Sequence, residues 1–336
     1  MALGAARRQW PGLQVHRDHR SRPIMQFQRA SGVLLHITSL PGAHGSGDLG
    51  PASFHFVDWL QSGGQTLWQF LPLGGVGLGH SPYMGSSAFA GNVLLIDLAE
   101  LHQRGWLDAQ DLSPVGEMRD EAINFPQVIP FRMTRLARAH ARFQSMASPM
   151  DRADFASFSV RHAHWLADYA LFMALAEHFG GRRWTDWDAP LAQRDPRALA
   201  AATRTHARRV DFWRFCQWSF FRQWQRLKTY ANARGVHMVG DVPIFVAQES
   251  ADVWARPELF ELDAQGRPTV VAGVPPDAFS DTGQRWGNPL YRWSVHREEK
   301  FKWWISRIRH VFAMVDMVRI DHFRGFESYW EIPATE

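Results

Sequence analysis

Near the C-terminal end of the 336-residue chain, the stretch Val315-Asp316-Met317-Val318-Arg319-Ile320-Asp321-His322-Phe323-Arg324-Gly325-Phe326 presents three side chains able to do chemistry: Arg319, Asp321 and His322. The apolar run before them reads as a short buried strand, and the glycine after them as turn chemistry. Residues two apart on a strand share a face, so Arg319 is placed to hold the Asp321 carboxylate ionised and oriented. That suits a nucleophile. An isolated Arg-x-Asp is more often a structural ion pair capping a strand.

A second carboxylate strengthens the chemical reading. Val236-His237-Met238-Val239-Gly240-Asp241-Val242-Pro243 is a further strand pattern with Asp241 near its end. With Asp321 on the next expected strand, two carboxylates converge at one rim of a parallel sheet, where α/β barrels keep their catalysts. Between them, Gly283–Trp293 carries Trp286, whose ring suits stacking on a sugar face, and Gln284, whose amide suits hydroxyl groups. Earlier, Gly74–Tyr83 and Ser86–Asn92 form a long polar loop around a rigid Ser81-Pro82-Tyr83. Loops of that length inside compact domains are usually functional. Tyr83 offers a ring face and a hydroxyl, although a tyrosine simply packed over the loop would look the same.

The elements that must position these residues follow from patterning. Strands are expected at 32–38, 66–72, 236–242 and 314–320, with a helix over 51–62 turning Phe54, Val57, Trp59 and Leu60 inward. Strand, helix, strand at that spacing argues for a βαβ unit and a parallel sheet. Residues 99–235 break the alternation, with helical periodicity at 131–145, 155–179 and 197–234. The expected organisation is an extension or misassigned start over 1–24, two strands with substrate loops over 25–98, a helical insertion over 99–235, and two more strands with an active-site loop over 236–336.

Composition limits the alternatives. The net charge of +4 comes from 37 basic and 33 acidic side chains scattered along the chain, which argues against nucleic acid as a partner. No run of 18 uncharged apolar residues suggests a membrane partner. The glycine-rich loop Gly42–Gly50 lacks the Gly-Lys-Ser/Thr ending of a phosphate cradle. Sixteen tryptophans and 23 phenylalanines supply both core and platforms for flat ligands, sugars included. The single cysteine, Cys216, sits among phenylalanines as a small buried hydrophobe, and its solitude suits a reducing, cytoplasmic setting.

The segments Ser31–Pro41, Ser81–Asn92, Gly240–Trp254, Val271–Trp293 and Val318–Pro333 together resemble the 4-α-glucanotransferase family, also called amylomaltases or disproportionating enzymes. The resemblance implies an α/β fold, a TIM (β/α)8-type barrel with inserted subdomains. It implies transfer of α-1,4-glucan segments by retaining double displacement, with α-1,4-glucans and maltooligosaccharides as partners and neither metal nor organic cofactor. On this resemblance Asp321 is the nucleophile, Arg319 its orienting partner, His322 a substrate contact, and Asp241 a support of the same subsite. Ser81 and Tyr83 become donor-side contacts, and Gln284 and Trp286 part of a loop that overhangs the cleft and excludes water. The family's general acid is a glutamate on the strand after that of Asp321. A retaining mechanism needs such a second carboxyl roughly 5–5.5 Å from the nucleophile. Glu327, Glu331 and Glu336 do not fit that place. Four of eight barrel strands are expected, so the chain reads as an N-terminal portion that alone is inactive and prone to aggregate. Alternatives are a non-catalytic glucan-binding fragment and a related α-glucan hydrolase.

Overall fold

The computed structural model describes residues 7–9, 29–116, 118–119, 121–278 and 280–335. The expectation for residues 1–24 therefore falls, Arg7–Gln9 apart, outside the described residues. Eight strands occur among those described: β1 (Arg7–Gln9), β2 (Gly32–Leu34), β3 (Leu67–Gln69), β4 (His237–Val242), β5 (Val270–Val274), β6 (Gln284–Pro289), β7 (Met317–Ile320) and β8 (Ser328–Pro333). They form two sheets. β2, β3, β4 and β7 pair in that order, all parallel, while β1, β8, β5 and β6 pair antiparallel.

The parallel sheet is the incomplete barrel expected from the sequence, with four strands and no closure. Helix Pro51–Ser62 carries the chain from β2 to β3 and buries Val57 and Leu60 completely. Trp59 does not turn inward as expected, being 54% exposed. At 100° per residue it lies about 200° around the helix from Val57, so it faces out and stacks on Phe56 instead.

Between β3 and β4 the described chain is helical, with no strand. The stretch read as one helix over 155–179 is two, Pro149–Arg161 and Ala163–His178, the first capped by the Ser148 hydroxyl accepting from the Asp151 N–H. Likewise 197–234 divides at His206 into Pro196–Thr205 and Ala207–Ala233. The longer of these lies against β4 and buries Phe212, Cys216, Phe220, Trp224, Leu227 and Ala231 on one stripe. Its approach to the Ser86–Asn92 loop is so close that a Cβ on Gly91 would meet the Phe220 ring at 2.1 Å.

Helix Lys302–Met314 runs into β7, and Val315 at the junction packs on Gly240 of β4, where a Cβ would come within 2.9 Å of it. That fit draws β4 and β7 together in a register that pairs Asp241 with Arg319. The sheet ends at β2 and β7, and apolar groups lie beside both: Leu34 is 56% exposed, and Trp293, Trp304, Ile305, Ile320, Phe323 and Phe326 line a groove near β7.

The active-site segment expected to be a loop contains β5 and β6, which pair with each other through a bulge between Val271 and Gly273. The turn joining them closes at Gly283, whose φ of 73° and 2.4 Å clearance to the Val274 carbonyl leave no room for a side chain. No helix among the described residues is long and apolar enough to cross a membrane.

Candidate active site

Because β4 and β7 are neighbours, the register that pairs Asp241 with Arg319 puts their side chains on one face, and Asp321, two residues further, on the same face. The Arg319 guanidinium forks between the two acids. Nη1 donates to Asp241 Oδ2 and Nη2 to Asp321 Oδ1, each at 2.7 Å. Tyr83 arrives from the loop after β3, and its hydroxyl donates to the same Asp241 Oδ2 at 2.7 Å.

The two carboxylates live in different surroundings. The Asp241 side chain is 1% exposed and its Oδ1 has no hydrogen-bond partner, whereas that of Asp321 is 36% exposed. A buried acceptor left open at the wall of a cavity is an atom a ligand hydroxyl can satisfy. That cavity, about 100 Å³, is lined by Tyr83 and Asp241 together with Phe70, Gly240, Pro243 and Phe245. Burial first, and then the hydrogen bond to Asp241, push the Tyr83 hydroxyl above its ordinary range, so it stays a donor. The bond to Asp241 raises the already high pKa of Arg319, fixing it as a cation.

Around this network the remaining expected residues take distinct places. Ser81 Oγ accepts from the Tyr83 N–H at 3.3 Å and caps the short turn Pro82–Met84, so it holds Tyr83 through the backbone. Trp286 stands on β6 rather than in a loop, its ring 5.1 Å from that of His322 and edge-on to it. Gln284, also on β6, accepts from Trp286 Nε1 at 3.0 Å and thus orients the indole. His322 adopts a left-handed conformation (φ 50°, ψ 44°), uncommon for residues other than glycine though tolerated by histidine more than by most. Burial lowers its pKa against the opposing pull of Asp321.

Three positioning groups escaped sequence reading. Arg307, 2% exposed, donates from Nη1 to the Ile244 carbonyl at 3.0 Å and from Nη2 to the Pro243 carbonyl at 2.5 Å. Tyr291 donates to the Ile244 carbonyl at 2.8 Å, and Asn288 Nδ2 to the Val246 carbonyl at 2.9 Å. Together they pin the chain that leaves β4 just beyond Asp241. For Asn288 and Tyr291 a signal existed in Gly-Asn-Pro-Leu-Tyr, while Arg307 is one of two arginines on an amphipathic helix.

Residues 35–336 match the family model described as 4-alpha-glucanotransferase. The chain belongs to the 4-alpha-glucanotransferase family. It is 51% identical over 312 residues to a 4-alpha-glucanotransferase of Thermus thermophilus, covering 93% of this chain and 61% of that protein. A 4-alpha-glucanotransferase of Streptococcus pneumoniae is 46% identical over 309 residues, covering 91% and 61%. The structure of the amylomaltase from Streptococcus agalactiae in complex with acarbose superposes with a TM-score of 0.88 at 40% identity, covering 92% of this chain and 62% of that one. The chain thus spans about three-fifths of the length of these family members.

Proposed function

We propose that this chain carries the nucleophile side of a 4-α-glucanotransferase site acting on α-1,4-glucans and maltooligosaccharides. The observation that carries the reading is the Arg319 fork, which fixes one oxygen of Asp321 and leaves the other without a partner among the described residues. In the first displacement that carboxylate attacks the anomeric carbon, the glycosidic C–O bond breaks, and the leaving oxygen takes a proton from a general acid. The resulting glycosyl-enzyme is then attacked by the 4-hydroxyl of an acceptor glucan, whose proton returns to the same acid. Asp241 Oδ1 receives a hydroxyl of the sugar in that subsite, Tyr83 and Ser81 form the donor wall, and His322 contacts the substrate beside Asp321. Trp286, oriented by Gln284, lies over the cleft and keeps water from the intermediate so that transfer outruns hydrolysis.

The general acid has no candidate among the described carboxyls after Asp321. Glu327 accepts from Ser328 Oγ, and Glu331 stands on β8 in register with Ala272 of the antiparallel sheet. The 336 residues alone are therefore inactive in transfer. The buried, solitary Cys216 suits a cytoplasmic setting. The test is a maltotriose assay on this chain, on a form extended to the length of its relatives, and on the extended form carrying Asp321→Asn, following glucose and longer products together. Longer products from the extended form alone, abolished by Asp321→Asn, support the reading. Their formation by the 336-residue chain would place the acid within it.

A further inference from the structure

Away from the proposed cleft, three helices enclose a groove of about 720 Å³: Pro149–Arg161, Ala207–Ala233 and Lys302–Met314. The long helix sends Arg222, Gln225, Arg226 and Thr229 into it, spaced so that they form one stripe. Arg161 and Asp154 face them from the first helix, and His310 from the third. The charge is lopsided. Arg161 and Arg226 form no ion pair with a carboxylate among the described residues, and Asp154 already accepts from Trp218 Nε1 at 2.8 Å.

The groove also holds orphaned polar atoms. Arg222 spends Nη2 on Glu100 Oε2 at 2.9 Å, which leaves its buried Nε and Nη1 without partners, and His310 Nε2 is buried and unpartnered as well. Buried donors of this kind are normally satisfied by an acceptor-rich group. Two guanidiniums on the long helix with a third facing them from the first helix favour a phosphate, whose oxygens match their forked donors.

We infer that this groove binds a phosphorylated monosaccharide, with Arg161, Arg222 and Arg226 on the phosphate and Gln225, Thr229 and Asp154 on the sugar hydroxyls. The aromatic walls decide between a sugar and a nucleotide. Phe158, Trp218 and Trp224 are 4%, 1% and 1% exposed and offer ring edges rather than open faces, leaving only the partly buried Phe221 and His162 beside Gln225, Thr229 and Asp154, whose polar groups suit the hydroxyls of a sugar. The inference does not rest on the glucan reading, whose contacts Tyr83, Asp241 and Asp321 do not line this groove, although His310 and Met314 border both cavities.

Titration calorimetry on the full 336-residue chain tests it, with glucose 1-phosphate, glucose 6-phosphate, orthophosphate, glucose, maltotriose and adenosine monophosphate as probes. Saturable binding of a glucose phosphate is expected, weakened roughly tenfold or more in the Arg161→Gln/Arg226→Gln double variant. Both arginines are exposed and outside the core, so circular dichroism of the double variant should match the parent. Asp321→Asn leaves the binding unchanged, which separates this site from the cleft. No saturable binding, equal binding of orthophosphate, tighter binding of the nucleotide, or loss of binding in Asp321→Asn but not in the arginine variant would each overturn the proposal.

Discussion

Replacing Tyr83 by Phe removes one oxygen and nothing else from the network at the sheet rim. The ring keeps filling its place, so no cavity opens, and the perturbation isolates the 2.7 Å bond from the hydroxyl to Asp241. A hydrogen bond to a charged partner contributes about 1.5–3 kcal/mol. The lower end applies here, because Arg319 still donates to the same oxygen and the half-buried Tyr83 site admits some water. Full replacement by water is barred by the 1% exposure of the Asp241 side chain. The expected loss is therefore about 1.5 kcal/mol in urea denaturation followed by tryptophan fluorescence. In an Asp241→Asn background the same change should cost under about 0.5 kcal/mol, since the charged acceptor is already gone, giving a coupling near 1 kcal/mol. Additive losses, equal in both backgrounds, would refute the claim that Tyr83 acts through Asp241.

Other expectations are as direct. Gly91→Ala drives a methyl into the fully buried Phe220 ring and should destabilise by about 1–3 kcal/mol or more in the same denaturation assay. Burial holds His36, His162 and His310 down to about 4, while it raises the Asp97 carboxyl to about 6. Between pH 6.5 and 4 the unfolded chain gains protons on the three histidines that the folded chain refuses, and the fold holds one on Asp97 that the unfolded chain releases. The histidines outnumber the acid, so stability is present above pH 6.5 and falls on acidification towards pH 4. Denaturation at pH 5 and pH 7 checks this, and His310→Gln should shallow the slope. Cys216, wholly buried with its thiol pushed well up by burial, should react with a thiol reagent only at the rate of global unfolding.

The sequence announced the parallel strands because each is a short apolar run delivering polar residues at its carboxyl end, and the helix between β2 and β3 because Val57 and Leu60 repeat at its period. It concealed β5 and β6. Gly273, Pro275, Pro276 and Pro289 read as loop punctuation, and the strand that completes their sheet, β8, joins at a separation no local window spans: Val271 pairs with Ile332. The Arg319–Asp321 pair was legible since two residues on a strand fix a shared face. That Tyr83 would donate to Asp241 was not, because the two are 158 residues apart and only the fold measures the distance between them. Arg307 was hidden for a different reason: its partners are main-chain carbonyls, which every sequence contains.

Those separations also impose a timetable on synthesis. Arg319, which holds Asp241, is encoded 78 residues later. At 5–20 residues per second, a ribosome needs roughly 4–16 seconds to supply it. Throughout that interval a carboxylate destined for near-complete burial has been made and its cation has not. The end of β4 must stay hydrated while β7 is unmade, so the wall of the cleft dries only after the chain has been made through Arg319.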